Sequence, residues 1–196
     1  MTEALHERRR HRTEREIRAA ALTLFEERGV DGTTVDDIAR EAGVSPRTVF
    51  RYAATKERAA LIPEPDVERQ VDHALAALDP TARLVPQLER LWRDVLATFE
   101  DGRSEAGREA LRLWRLVPRE PRLLLAALAV DEERLARTQA ALVERLELDP
   151  LTTRVVLEST GAVVRVALDR WAGDPDGPGL VPTYDAACEA LRRHAG

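Results

Sequence analysis

Asparagine is absent from this chain of 196 residues, and lysine, cysteine and methionine occur once each. The lone Cys188 excludes an internal disulfide, leaves no thiol pair for a metal site, and fits a reducing compartment. No apolar run approaches the roughly 20 residues that a spanning helix needs. The charged N-terminus has no apolar signal-peptide core. These absences predict a cytoplasmic protein without a membrane partner. Charge of one sign is missing too. The net charge is −5, with 33% of residues charged and the signs well mixed, so no global basic field exists and any nucleic-acid face has to be local. Also lacking are a phosphate-cradling glycine loop, a nucleophile elbow, HExxH and CxxC. His6, His11, His73 and His194 do not stand at metal-ligand spacing with carboxylates. No catalytic residues, cofactor or metal are therefore predicted.

What is present is helical spacing almost throughout, with an apolar fraction of 44% that is ample for a core. No alternating strand or hairpin signal appears. Residues 1–12 read as a polar, mobile arm. Thr13 and Glu16 read as a capping box opening a helix, with Ile17, Ala20, Ala21, Leu24 and Phe25 as its apolar stripe and Gly29 as its end. Thr34 caps a second helix, and Gly43 makes a turn. Ser45 caps a third helix with Pro46 at its first position, where a missing N–H costs nothing. Thr55 caps a fourth. Pro63 and Pro65 mark a boundary between residues 1–62 and 63–196. Further helices are predicted at about 66–78, 83–100, 104–117, 120–147, 152–171 and 183–194. The breaks fall at Asp79-Pro80, Asp101-Gly102, Pro118, Asp149-Pro150 and the Gly173 to Gly179 stretch. The expected class is all-α: an N-terminal three-helix unit and a larger C-terminal helical domain, about nine helices in all.

The stretch from Thr34 to Tyr52, two short helices around a glycine turn, has the layout of a helix-turn-helix, whose second helix enters the DNA major groove. Phe25, Val35, Ile38, Ala39, Val44 and Val49 supply a compact core. The groove-facing candidates are Ser45, Pro46, Arg47, Thr48, Arg51 and Tyr52. Thr34, Ser45, Tyr52 and Lys56 suit phosphates, which fix register without reading sequence. Arg47 and Arg51 can each fork onto guanine O6 and N7. With no Asn, and Gln only at positions 70, 87 and 139, bidentate adenine readout from this helix is excluded. The expected operator therefore carries G·C pairs in each half-site. Arg8, Arg9, Arg10, Arg12 and Arg15 admit two readings, an arm along the DNA or a solvated tail diluted by Glu3, Glu7 and Glu14.

Ile17, Ala20, Ala21, Leu24, Phe25, Gly29, Thr33-Thr34-Val35, Asp37-Ile38-Ala39, Ala42-Gly43-Val44-Ser45, Thr48, Arg51-Tyr52 and Lys56-Glu57 resemble, in spacing and identity, the TetR family of bacterial transcriptional repressors. The sequence departs from the family pattern at Phe50, where Tyr is usual, and at Ala53-Ala54, where Phe-Pro is typical. The resemblance implies a homodimer on a palindromic double-stranded operator, released by a small-molecule effector.

The C-terminal half is similar to that of actinobacterial TetR-type regulators with acyl-CoA-like ligands. The similarity lies at Arg108-Glu-Ala-Leu-Arg-Leu, Asp131-Glu-Glu-Arg-Leu, Glu144 to Pro150 and Ala167-Leu-Asp-Arg-Trp171. Trp92, Val95 and Phe99 share one helix face, and with Leu88, Leu111, Trp114 and Leu128 they are candidates to line an apolar pocket or to be plain core. His73, Gln87, Gln139 and Arg165 are candidate polar anchors. Residues 152–171 are apolar around most of the helix, and Gly161 and Ala162 permit close approach. With Tyr184, Ala187, Cys188 and Leu191 of the 183–194 helix they are expected to form half of a dimer interface. The competing readings are a helical enzyme or an interaction module without DNA binding. Neither predicts the steep loss of duplex binding with salt that a DNA reader shows.

Overall fold

The computed structural model describes residues 2–99, 104–174 and 176–195. Ten α-helices are found among them: α1 (Thr2–Arg28), α2 (Val35–Glu41), α3 (Pro46–Tyr52), α4 (Lys56–Ala60), α5 (Pro65–Ala76), α6 (Leu84–Ala97), α7 (Glu105–Leu116), α8 (Pro121–Leu146), α9 (Pro150–Gly173) and α10 (Leu180–Ala195). A 3₁₀ turn at Val117–Arg119 precedes α8. The all-α expectation holds, with one helix more than the approximate tally. The expected break at Asp101-Gly102 lies outside the described residues, as does Pro175 within the Gly173 to Gly179 stretch.

The beginning of α1 differs from expectation. The helix runs from Thr2, so the stretch read as a mobile arm forms its first turns, and Thr13 is no cap. Inside a helix the Thr13 hydroxyl donates back to the Arg9 carbonyl, 3.0 Å away. Glu16, cast as its capping partner, pairs instead with Arg12 at 2.8 Å, and Arg10 pairs with Glu14 at 3.0 Å. These i,i+4 pairs support a segment with no apolar stripe of its own.

The chain divides into two compact units. The first holds residues up to Pro65 together with Arg115–Val130, and the second holds Asp66–Trp114 and Asp131–Gly196. In the first unit α1 packs on α2 and α4, and α2 on α3. Ile17, Leu22, Phe25, Ile38 and Val49 are its buried anchors. Gly29 and Gly43 end α1 and α2 with φ of +75° and +66°, a region in which side chains other than glycine are strained. Arg122 pairs with Asp31 at 2.9 Å, tying the start of α8 to the loop after α1.

In the second unit α6, α9 and α10 pack on one another around two apolar clusters. One contains Leu96, Leu168, Trp171, Leu180 and Tyr184, and the other Leu88, Leu91, Val95, Leu142 and Leu157. Gly107 lets α7 start hard against the end of α6, since a Cβ there would lie 1.8 Å from the Phe99 carbonyl oxygen. No described helix is long and apolar enough to cross a membrane.

Candidate nucleic-acid interface

Each short helix of the first unit is fixed at its start by a side chain. Thr34 Oγ1 accepts from the Asp37 N–H at 3.1 Å, and the Asp37 carboxylate accepts from the Thr34 N–H at 3.1 Å and from its hydroxyl at 2.7 Å. This capping box satisfies donors that the first turn of α2 would leave bare. Ser45 Oγ accepts from the Thr48 N–H at 3.1 Å, and the Ser45 and Thr48 hydroxyls lie 2.9 Å apart. Thr55 Oγ1 accepts from the Arg58 N–H at 3.3 Å. Between α2 and α3, the Val44 N–H donates to the Ala39 carbonyl at 2.9 Å and closes the turn.

The capping box makes a pH signature. Asp37 is pulled down from 3.8 to about 2, first by the Thr34 hydroxyl, then by the Thr34 N–H and Arg40. A carboxylate depressed in the folded state contributes stability that is complete above its unfolded value and lost as pH falls through its folded one. Wild-type protein is therefore expected to outlast Asp37→Asn in denaturant at pH 7. That advantage is expected to shrink as pH falls below 3.8 and to vanish only below pH 2, which parallel denaturation curves monitored by circular dichroism will check.

On α3, Val49 is buried and Ala53 at its C-cap is buried, while Pro46, Arg47, Phe50 and Arg51 are exposed. The exposed residues recur at i, i+1, i+4 and i+5, one face of a helix. Arg47 has no hydrogen-bond or ion-pair partner among the described residues. Arg51 is pre-positioned: its guanidinium carbon stands 5.0 Å from the Tyr52 ring centroid, and an N–H reaches the Tyr52 hydroxyl at 3.4 Å.

Two of the expected phosphate ligands are already engaged. The Thr34 hydroxyl proton is spent on Asp37, so only an acceptor lone pair remains. The Lys56 ammonium donates to the Val30 carbonyl at 2.7 Å and the Thr33 carbonyl at 2.9 Å, leaving one N–H of three. Thr48 and Tyr52 are half-buried, and Ser45 is exposed at the start of α3. The residue that sequence reasoning passed over is Phe50, 56% exposed in the middle of the face. The signal was there: Phe50 stands three residues after Arg47 and one before Arg51, where only an outward direction is available.

The second unit holds six of the seven expected ligand-lining residues. Trp92, Phe99, Leu111 and Trp114 pack around the cluster of Leu96 and Trp171. Leu88 and Val95 are buried in the other cluster, which Trp92 also touches. Leu128 belongs to the first unit and is exposed. Of the polar anchors, Gln87 holds the loop before α6 by donating to the Asp79 carbonyl at 3.0 Å and accepting from its N–H at 2.8 Å. Gln139 donates to the Pro150 carbonyl at 2.9 Å. Arg165 faces Asp131 at 3.9 Å, and burial pushes the Asp131 carboxyl up. His73 sits in the last turn of α5. A cavity of about 380 Å³ opens between the loop before α6 and the start of α9, with Leu84, Leu146 and Val156 among its walls.

Residues 17–58 match the family model described as bacterial regulatory proteins, tetR family. The HTH-type transcriptional regulator TcmR of Streptomyces glaucescens is 34% identical over 196 residues, spanning 96% of this chain and 86% of TcmR. The putative mycofactocin biosynthesis transcriptional regulator MftR of Mycobacterium tuberculosis is 33% identical over 113 residues, 57% of this chain and 56% of that protein. Among solved structures, FadR of Thermus thermophilus, a TetR-family repressor in complex with lauroyl-CoA, shares the fold with a TM-score of 0.52. It is 22% identical, and the match covers 91% of this chain and 93% of FadR. A full-length relative at this identity, and a helix-turn-helix whose caps and turn are all formed, lead to one conclusion: the chain belongs to the tetR family of bacterial regulatory proteins and is a DNA-binding transcriptional regulator.

Proposed function

We propose that the protein is a cytoplasmic, non-enzymatic, homodimeric repressor, released from a palindromic operator by a small apolar or acyl-type ligand. The observation that carries this reading is an unburied apolar stripe on α9. Leu151, Val155 and Val166 are 72%, 55% and 59% exposed, with Ser159 and Ala162 between them at helical spacing. Soluble monomers rarely leave such a stripe in water, and a second copy of α9 would cover it. Gly161 adds an open site where a Cβ would meet nothing within 4 Å. On α10, Leu191 is exposed and contributes to the same interface. Tyr184 and Cys188 are taken up inside the unit, where the Tyr184 hydroxyl donates to the Glu89 carbonyl at 3.2 Å. Two copies place two α3 helices on DNA, which calls for two related half-sites.

In this reading residues 1–62 carry the DNA function and residues 63–196 the ligand and dimer functions. Arg47 and Arg51 read bases with Pro46 and Thr48 beside them on the groove face, while Ser45, Tyr52 and Lys56 fix the register along the backbone. Thr34 acts through the cap of α2. The aromatic group Trp92, Phe99 and Trp114, with Leu111, offers the effector its apolar lining. A ligand shifts the equilibrium only if it prefers the DNA-incompetent form. The Pro63/Pro65 break between α4 and α5 is where the shift would pass.

Operator affinity measured with saturating lauroyl-CoA against coenzyme A alone tests the switch. A loss of about 5–150-fold is expected, the usual range of coupling between two sites. Equal affinities with medium-chain and long-chain acyl-CoAs would remove the acyl-type effector.

A further inference from the structure

Phe50 is an aromatic residue on the exposed face of α3, where no packing role calls for one. The ring is 56% accessible, although burying a phenylalanine gains about 1.5–3 kcal/mol. Val49, fully buried, and Ala53, nearly so, take the core-facing side of this helix, which leaves Phe50 on the outward one. The ring stands instead among the exposed cations Arg47 and Arg51. Their charge fits a polyanion and disfavours a second copy of the same face. From the placement of Phe50 on this helix, and resting on the DNA-binding reading above, we propose that Phe50 reads the C5-methyl group of a thymine in each half-site, beside the base taken by Arg47.

The chemistry of the ring narrows the partner. Phenylalanine carries no donor or acceptor, so it makes no hydrogen bond to a phosphate or to a base edge. The major-groove edges of the four ordinary bases present donors and acceptors, and one apolar group, the thymine methyl. A Tyr at this position would add a hydroxyl able to reach the backbone, so Phe exchanges positioning for readout. The absence of asparagine from the chain, and of glutamine from α3, closes the adenine route to an A·T pair. A methyl contact from Phe50 restores A·T recognition through the other strand's base.

The test starts from a duplex selected out of a random library by the full-length wild-type protein. Each thymine of the selected half-site is then replaced singly by deoxyuridine, which removes one methyl group and nothing else. One replacement is expected to weaken wild-type binding about fourfold in one half-site and about 15-fold in both, the loss that follows from uncovering one methyl per site. Phe50→Ala is expected to bind the parent duplex more weakly and to be indifferent to that replacement. Phe50→Leu is expected to keep part of the difference, and unchanged melting of both variants separates readout from folding. Equal deoxyuridine losses in wild type and Phe50→Ala, no thymine sensitivity, or a selected half-site without thymine would overturn the assignment while leaving DNA binding intact. Failure to enrich any duplex would instead overturn the DNA-binding reading on which it rests.

Discussion

Glutamate in place of Val155 is expected to leave a folded monomer whose operator affinity is about 10²–10⁴-fold lower than that of the wild type. Linking two half-sites through one dimer supplies an effective concentration of that order, and a monomer forfeits it. Val155 is 55% exposed, so the new carboxylate meets water in the monomer and costs the fold little. In a two-fold interface the same residue faces its own counterpart or nearby neighbours. Two carboxylates are then desolvated and set against each other. Light scattering with size-exclusion chromatography reports the mass, and gel retardation reports the affinity. A dimer that persists would rule out α9 as the interface, and a monomer that binds as tightly as wild type would rule out the need for two linked half-sites. Val166→Glu, three turns further along the stripe, is expected to behave in the same way.

Removing the Glu64 carboxylate is expected to cost about 3–5 kcal/mol of stability, because it strands a charge that has left water. The Arg18 side chain is 9% exposed and that of Glu64 is 12% exposed, and they meet at 2.7 Å. Arg18 also donates to the Ile62 carbonyl at 3.2 Å, and Arg15 reaches the second Glu64 oxygen at 2.9 Å. The cluster pins the segment after α4 to the middle of α1. Whole domains are stable by only about 5–15 kcal/mol, so Glu64→Ala takes away a large share. Glu64→Gln keeps the shape and one acceptor and is expected to lose less. Urea denaturation of the two variants checks both the size and the order. A loss below about 1 kcal/mol for Glu64→Ala would mean that the cluster is solvated and weak.

The DNA-binding unit was legible because its signals are local. Thr34 with Asp37, Gly43, and Ser45 before Pro46 each act within four residues, and each forms the cap or turn that its chemistry implies. Thr13 misled for the same reason. A Thr followed three residues later by Glu fits a capping box, yet it fits equally well inside a helix, where the hydroxyl turns back to the preceding turn. Apolar periodicity begins only at Ile17, so it was silent about turns held by Arg10–Glu14 and Arg12–Glu16.

Burial is not a local property, and there the sequence spoke less. Tyr184 and Cys188 share a helical face with Leu191, but the first two go inward and the third outward. Phe50 was read only as a departure from the usual Tyr, although its spacing from Arg47 and Arg51 already placed it on the face opposite Val49. The pairing of Arg122 with Asp31 joins residues far apart in the chain, beyond the reach of any periodicity.

That last pairing bears on how such regulators can be recombined. The unit that carries the helix-turn-helix is made of two stretches of chain, one ending at Pro65 and one running from Arg115 to Val130. A hybrid regulator cut after Pro65 and grafted onto a foreign effector half would leave Asp31 facing a stranger's residue in place of Arg122. The portable reading head of this protein is a discontinuous cassette, and a graft needs both of its pieces.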